Sequence, residues 1–427
     1  MTGTENSERS GYSRHHSDRL ALLYRLSQSF NTSLDLNEVL NRVIDEVIEV
    51  LHAERGFVML FGPGGTQTFN VARGIDRRTI DQPQFEVSQS VVQKVASTGQ
   101  PILTSDAQTD ARFNMRQSIM LLGLRSIMCV PLKVMDEVRG VVYADNRFEV
   151  GIFTPADLEL TTAIASIAAI AIENARLYQM AVEKGRMQRE LQMAREMQSS
   201  FLPQEIPQLD GWQFAARWLP AREVAGDYFD FIPLDDHNLG LVIADVTDKG
   251  APAALFMIFT NSIIRGSVHP SIPPAESIRS ANRLIVDKSP NAMFVSLVYT
   301  SINVESGEMK WVNAGHNPPI YYNGSEDTFH RLPPTGMVLG IEIEAAFEQH
   351  AQTIQPGDFV LYYTDGLIDA VNAEEEDFGM ARLEEIVQAN RHESAEELIG
   401  RLENAVAEHS GAATPFDDIT IMVVRRL

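Results

Sequence analysis

The sequence contains a single cysteine, Cys129, in 427 residues. An intrachain disulfide and a thiolate metal cluster are therefore excluded, and a reducing compartment suits such a chain. Also missing is any run of eighteen or more apolar residues. The longest weakly polar stretch, Ile164 to Ile172, reads as too short to cross a bilayer. The first residues, MTGTENSERSGYSRHHSDR, carry no apolar segment of the export-signal kind, so the expected location is cytoplasmic. Positive charge is scarce: 35 Lys and Arg stand against 58 Asp and Glu, a formal net charge of −23. Without a basic stripe to offset that field, neither nucleic acid nor a membrane surface is an expected partner. Proteins and divalent cations are.

What the chain does have is 44% hydrophobic residues, enough for two or three separately cored domains. Residues 1–18 are polar and aperiodic and read as disordered. Leu20, Leu23 and Leu26, then Val39, Val43, Val47 and Leu51, recur at helical spacing ahead of the β-rich run Gly56 to Phe61. A turn is expected at Gly62 to Gly65, then strand-like runs at Phe69, Ser126 to Leu132 and Val138 to Ala144, with a helix-like segment at 88–99. Ala156 to Ala194 is rich in strong helix formers and free of proline, which predicts one long helix with Gly185 as its candidate break and Pro203 as its end. Within it Leu177, Met180, Met187, Leu191, Ala194, Gln198 and Phe201 form a short coiled-coil seam, read as a parallel homodimer contact. After Pro207 strands predominate, at 239–244, 293–302, 309–313, 358–363 and 419–424, with helices at 251–267, 275–288 and 393–408. The connection Val304 to Glu308 predicts an antiparallel hairpin, and the whole reads as α+β.

Four acidic clusters sit at the edges of these strands: Gly226-Asp227-Tyr-Phe-Asp230, Asp245-Val-Thr-Asp-Lys-Gly250, Thr364-Asp365-Gly366 and Asp417-Asp418-Ile-Thr420. An Asp at a strand end beside a glycine offers a hard oxygen ligand where backbone can also approach, which suits Mg²⁺ or Mn²⁺. Each Asp-Gly alone is an ordinary turn; the ordered set carries the weight. Converging carboxylates need cations between them, and two ions bridged by one carboxylate suit hydrolysis at phosphorus.

From about Leu191 onwards the chain resembles the metal-dependent protein phosphatases of the protein phosphatase 2C superfamily, in the RsbU and stage II sporulation protein E branch. The resemblance rests on Leu191-Gln-Met-Ala-Arg-Glu-Met-Gln198 with Phe201-Leu-Pro203, Val224-Ala-Gly-Asp227-Tyr-Phe-Asp230, Ile243-Ala-Asp245-Val-Thr-Asp-Lys-Gly250, Met293-Phe-Val295, Asn313-Ala-Gly-His316-Asn-Pro-Pro319, Tyr363-Thr-Asp365-Gly366 and Asp417-Asp418-Ile-Thr420. It implies an αββα sandwich over 206–427 and a two-ion Mn²⁺ or Mg²⁺ centre. Asp245 would bridge the ions, the Val246 carbonyl would ligate one, Asp365 and Asp417 would hold the second, and Asp227 would bind metal or its water. For Asp418, Asp230 and Asp248 a capping or solvated role is as good a reading as metal contact. Thr247 stands where eukaryotic relatives carry a proton-donating histidine. The proton is therefore expected from bound water or from His316, which also reads as a turn residue; Arg222 is either a phosphate ligand or a solvated side chain.

Residues 19–175 resemble a GAF domain through Ser126 to Leu132, Arg139-Gly-Val-Val-Tyr-Ala-Asp-Asn146, Phe153 to Asp157 and Ile167 to Leu177, with 176–205 as helical linker. These are core and turn positions and leave the GAF ligand unknown. Cys129, inside an apolar run, reads as a buried, inert thiol. The resemblance thus implies a phosphoserine or phosphothreonine phosphatase acting on a regulatory protein of the anti-sigma-factor-antagonist type. The alternative is a non-catalytic signalling scaffold, which would need a broken acidic set. A phosphodiesterase or nucleotide cyclase would need His-rich or Gly-Gly-Asp-Glu-Phe motifs, and the sequence has neither.

Overall fold

The computed structural model describes residues 19–62, 67–74, 80, 87–110, 120, 122–289, 293–411, 413 and 416–427. The expected disordered segment 1–18 and the turn at 63–65 lie outside the described residues. The chain divides into two compact units, Met1–Arg186 and Met187–Leu427.

In the first unit a five-stranded antiparallel sheet has the order β2-β1-β5-β4-β3, with β1 at Arg55–Phe61, β2 at Gln67–Gly74, β3 at Ile102–Thr104, β4 at Ser126–Val134 and β5 at Glu137–Asn146. Helix α1 (Leu36–Leu51) starts at Asp35, whose side chain accepts from the Glu38 amide at 3.0 Å. Its buried stripe, Val39 to Leu51, packs on the even-numbered side chains of the sheet, Val58, Met128, Val130, Val142 and Ala144. The opposite face carries α2 (Gln89–Thr98) over Phe57, Ile127, Cys129, Val141 and Tyr143. Cys129 is buried there, as expected, and desolvation raises its thiol far above the usual range. Arg55 and Asp145, opposite each other in the β1–β5 register, form a buried bidentate pair at 2.8 and 2.7 Å.

Helix α3 runs unbroken from Pro155 to Ser199, so Gly185 interrupts nothing and the helix stops four residues before Pro203. Read as a helix, it contains an 18-residue window of mean hydropathy 1.4, long and apolar enough by length and composition to cross a membrane; the shorter apolar run in the sequence understated it. Ile164, Ala165, Ala168, Ala169, Ile172 and Ala175 are packed into the core of the first unit, which accounts for part of that hydropathy. Farther along, Leu177, Met180 and Met187 are 50–61% exposed. Two members of the expected seam depart from it: Gln198 is buried against the loop before Asp227, and Phe201 lies beyond the helix end.

The second unit is an αββα sandwich. One sheet has the order β13-β10-β9-β8-β7 and the other β12-β11-β14-β15-β6. Their strands are β6 (Trp212–Leu219), β7 (Tyr228–Pro233), β8 (Asn238–Val246), β9 (Val295–Asn303), β10 (Glu308–Ala314), β11 (Ile320–Asn323), β12 (Thr328–Arg331), β13 (His350–Thr353), β14 (Phe359–Tyr363) and β15 (Ile419–Arg426). The hairpin expected at Val304 to Glu308 joins β9 to β10. Helices α4 (Ala251–Ser267) and α5 (Pro274–Lys288) cover the first sheet, and α6 (Met380–Ala389) and α7 (Ala395–Ser410) cover the second. α7 opens with a capping box between Ser394 and Glu397.

The two-residue period of a strand assigns every side chain to one of two layers. In β8, Leu241 and Ile243 point between the sheets while Val242, Ala244 and Val246 meet the helices. In β7, Phe229 and Phe231 point inward. In β14 and β15, Val360, Tyr362, Met422 and Val424 answer them from the other sheet.

The end of the β14–β15 pair requires Gly366, in the turn Asp365–Leu367, where an added Cβ would stand 2.1 Å from the Asp418 carbonyl oxygen. Backbone cannot yield as a side chain can. Gly366→Ala is expected to destabilise the second unit by about 1–3 kcal/mol, read as a lower urea midpoint against an unchanged transition of the first unit.

Candidate metal centre

The strand period that builds the sandwich also sorts the acidic residues. Asp227 and Asp245 share the parity of Phe229 and Ile243, so both aim into the gap between the sheets at its open end. Thr364 and Thr420 share the parity of Tyr362 and Met422 and reach the same gap from the other sheet. Their hydroxyls both donate to Asp227 Oδ2, at 2.6 and 2.8 Å. Asp227 is 2% exposed. The approach is close enough that Gly226 is needed too, since a Cβ there would lie 2.9 Å from the Val246 carbonyl oxygen.

The carboxylates lie close enough to raise one another's proton affinity. Burial first, and then repulsion from Asp245, holds the Asp227 carboxyl well above the usual range, against the two threonine hydroxyls. Asp245 is pushed up to about 7, by burial and then by Asp365, Asp417 and Asp418, while a hydrogen bond with Asp227 opposes the shift. Asp365 is raised by burial, then by Asp417 and Asp369. Elevated carboxyls of this kind mark a concentration of negative charge short of counter-charge.

Each acidic residue singled out in the sequence can now be placed. Asp365 lies in the turn after β14, and Asp417 two residues before β15, where its Oδ2 is 2.8 Å from Lys249 Nζ. Asp418 accepts from the Ala221 and Gly226 amides, both at 2.8 Å, and so caps the loop ahead of Asp227. Asp230, on the opposite parity, faces α4 and is held bidentate by Arg265 at 2.6 Å through both oxygens. Asp248 is exposed, with a φ of 75°. Thr247 spends its hydroxyl on the Phe294 backbone, at 3.1 Å to both carbonyl and amide. Arg222 is exposed. His316 is 3% exposed, with Nδ1 2.7 Å from Ser296 Oγ, and Ser296 is the cross-strand partner of Asp245. Its Nε2 is buried without a full hydrogen bond, and desolvation lowers its pKa to about 4, so it is a neutral imidazole behind the centre.

In kind and charge this donor set fits a hard divalent cation: it is all oxygen, with Asp227 buried and the others partly exposed, and short of positive charge. Among the described residues no three such groups stand as a finished coordination sphere. The rotamers in place satisfy the carboxylates with threonine hydroxyls, backbone amides and the Lys249 ammonium instead. Thr364, Thr420 and Lys249 lay inside the quoted motifs without a role. The signal that could have found the threonines is parity, because each continues the inward-facing side of a strand.

Comparison with known proteins places these features. The stage II sporulation protein E (SpoIIE) family model matches residues 235–427, and the GAF domain model matches residues 33–173. Protein IcfG of Synechocystis is 33% identical over 272 residues, covering 57% of this chain and 43% of IcfG. Phosphoserine phosphatase RsbU of Bacillus subtilis is 27% identical over 237 residues, covering 56% of this chain and 70% of RsbU. The chain thus spans under half of one relative's length and about two thirds of the other's. Among solved structures, the SiaA-PP2C domain of Pseudomonas aeruginosa superposes with a TM-score of 0.52 at 19% identity, over 57% of this chain and 99% of that domain, which shows a shared fold. Residues 33–173 thus match the GAF family and residues 235–427 match the stage II sporulation protein E family, the latter on a fold shared with a PP2C domain.

Proposed function

We propose that the chain is a cytoplasmic, metal-dependent protein phosphatase that removes phosphate from phosphoserine or phosphothreonine on a regulatory protein, of the anti-sigma-factor-antagonist type, under control of its GAF domain. The observation that carries the reading is the convergence of Asp227 and Asp245 from one sheet with Asp365 and Asp417 beside the other, at the open end of a SpoIIE-family sandwich. These four carboxylates, with the Val246 carbonyl, would hold two Mn²⁺ or Mg²⁺ ions. Bound there, the ions would activate water and neutralise charge on the phosphoryl oxygens.

The chain's own groups do the positioning. Thr364 and Thr420 fix the Asp227 carboxylate in place, Asp418 holds the Gly226 amide, and Gly226 lets the Val246 carbonyl come close. Thr247, committed to the Phe294 backbone, supplies no proton to the leaving alkoxide, which leaves that role to water. We take 19–175 as the sensor for an unidentified ligand, 176–205 as linker and 206–427 as the catalytic domain. The exposed Leu177, Met180 and Met187 are proposed to face a second copy of α3 in a homodimer. Gln198, at the end of that helix, exchanges two hydrogen bonds with the Ala225 backbone, at 2.6 and 3.1 Å, two residues before Asp227.

Activity on a phosphoserine peptide is expected to require added Mn²⁺ or Mg²⁺ and to vanish in EDTA. Asp245→Asn should lower turnover at least about a thousandfold, since it removes several kcal/mol of charge stabilisation, with no loss of melting temperature in the ion-free protein. Turnover at the wild-type rate would remove Asp245 from the centre.

Cation affinity should depend on pH with a definite sign. Asp245 must release its proton to act as a ligand, and that proton is held up to about pH 7. Mn²⁺ affinity is therefore expected to rise from pH 6 to pH 8, with a slope below pH 7 of about tenfold per unit. Calorimetry at pH 6, 7 and 8 measures it; a flat profile would contradict the assignment.

Leu191→Glu is expected to convert the dimer to a monomer by light scattering and to change turnover together with mass. A dimer that persists would rule out the α3 seam, and a monomer of unchanged activity would rule out control through it.

A further inference from the structure

The acidic centre already contains a cation of the chain's own. Lys249 lies in the loop between β8 and α4, four residues after Asp245. Its Nζ is 2.8 Å from Asp417 Oδ2, 2.8 Å from the Phe416 carbonyl oxygen, and 3.8 Å from the centroid of the Phe416 ring. Three independent contacts to two adjacent residues make this a seated ammonium, since a lysine waving in solvent would not satisfy a carboxylate, a carbonyl and a ring face at once. Its charge is felt beyond Asp417, because it lowers the proton affinity of Asp365. Among the described residues it makes the ion pair found on the set Asp227, Asp245, Asp365, Asp417 and Asp418.

The backbone on either side is bent to place it. Asp248 holds a φ of 75° and Gly250 a φ of 79°. A non-glycine residue in that region is costly and persists where surrounding structure requires it. Thr247, just before, is pinned to the Phe294 backbone, and α4 begins just after, at Ala251. The loop is thus anchored at both ends and turned so that Lys249 points back over Asp417, while Asp248 points to solvent.

We propose that Lys249 is a resident counter-ion of the centre, whose ammonium holds Asp417 until a divalent cation displaces it, setting the chain's affinity for that cation below what its carboxylates alone would give. The inference rests on the reading of the centre under Proposed function. Two cations cannot share one carboxylate at contact distance without repelling each other. An Mn²⁺ or Mg²⁺ that takes Asp417 repels the ammonium held 2.8 Å from its Oδ2, and the two occupancies are coupled with negative sign. The same competition keeps Asp417 paired when the divalent ion is dilute. It gives the centre an ion threshold that could be tuned at a residue outside the ligand set.

The test is calorimetric titration of the full-length protein with MnCl₂ at pH 8, comparing wild type with Lys249→Met and Lys249→Arg. Lys249→Met is expected to lower the Kd for Mn²⁺ by about tenfold, because the competing charge is gone, while Lys249→Arg stays near wild type. A second measurement needs no variant. Reductive methylation of the wild type, read by mass spectrometry, should label Lys249 several-fold faster in saturating Mn²⁺ than in EDTA, because its contacts to Asp417 and Phe416 are released. Equal or weaker Mn²⁺ binding by Lys249→Met, or labelling of Lys249 that does not respond to Mn²⁺, overturns the inference and leaves the centre itself standing. Failure of Mn²⁺ to bind the wild type at all overturns both.

Discussion

Repulsion between carboxylates kept from water is the constraint around which the second unit is arranged. Asp227 and Asp245 aim into the same gap at the end of a sandwich whose interior is aromatic and aliphatic, and Asp365, Asp417 and Asp418 close it from the other side. Left to themselves these groups would swell the gap or take up protons. The surrounding structure answers with hydroxyl donors from Thr364 and Thr420, backbone amides on Asp418, and an ammonium on Asp417. The glycines at 226 and 366 matter for the same reason. They let main chain come within contact of main chain at the end of each sheet, Gly226 beside Val246 and Gly366 beside Asp418, where a methyl group would force the loops apart.

Parity explains why residues of one type take different roles. Asp230 is three residues from Asp227 and chemically identical to it, yet it faces α4, where Arg265 neutralises it and Asn261 stands 3.3 Å away. That pair ties the helix to the strand that ends at the centre. Asp418, next to Asp417, has both oxygens committed to amides of the loop that carries Asp227. One Asp of each neighbouring pair thus builds the wall, and the other faces the space it encloses.

Much of this was legible in the sequence, for identifiable reasons. The long strands β8, β9, β10 and β15 announce themselves by apolar runs, and the four aspartates by their place at strand ends. The four-residue strands β11, β12 and β13 were missed because so short a segment shows too few alternations to tell from a loop. β6 and β7 were missed for a different reason: Trp212, Phe214, Phe229 and Phe231 are interleaved with further apolar or charged residues, which blurs the period. Gln198 fitted the heptad phase by spacing, and only its burial against Ala225 shows that the last turn of α3 has left the exposed stripe. Parity marks Thr364 and Thr420 as inward-facing, but their pairing with Asp227 could not be read, because they lie 137 and 193 residues away along the chain.

That separation has a practical side. The two halves of the centre come from two sheets, and the loop between β10 and β11, where the chain crosses from one sheet to the other, falls between Ala314 and Ile320. A polypeptide cut there would yield one fragment with Asp227, Asp245 and Lys249 and another with Thr364, Asp365, Asp417 and Thr420. Neither holds a complete centre, and neither holds a complete sheet, since β6 of the second sheet stays on the first fragment and β13 of the first sheet on the other. Reassembly of the fragments would then be the event that completes the centre, which makes this architecture a natural template for a split reporter of protein association.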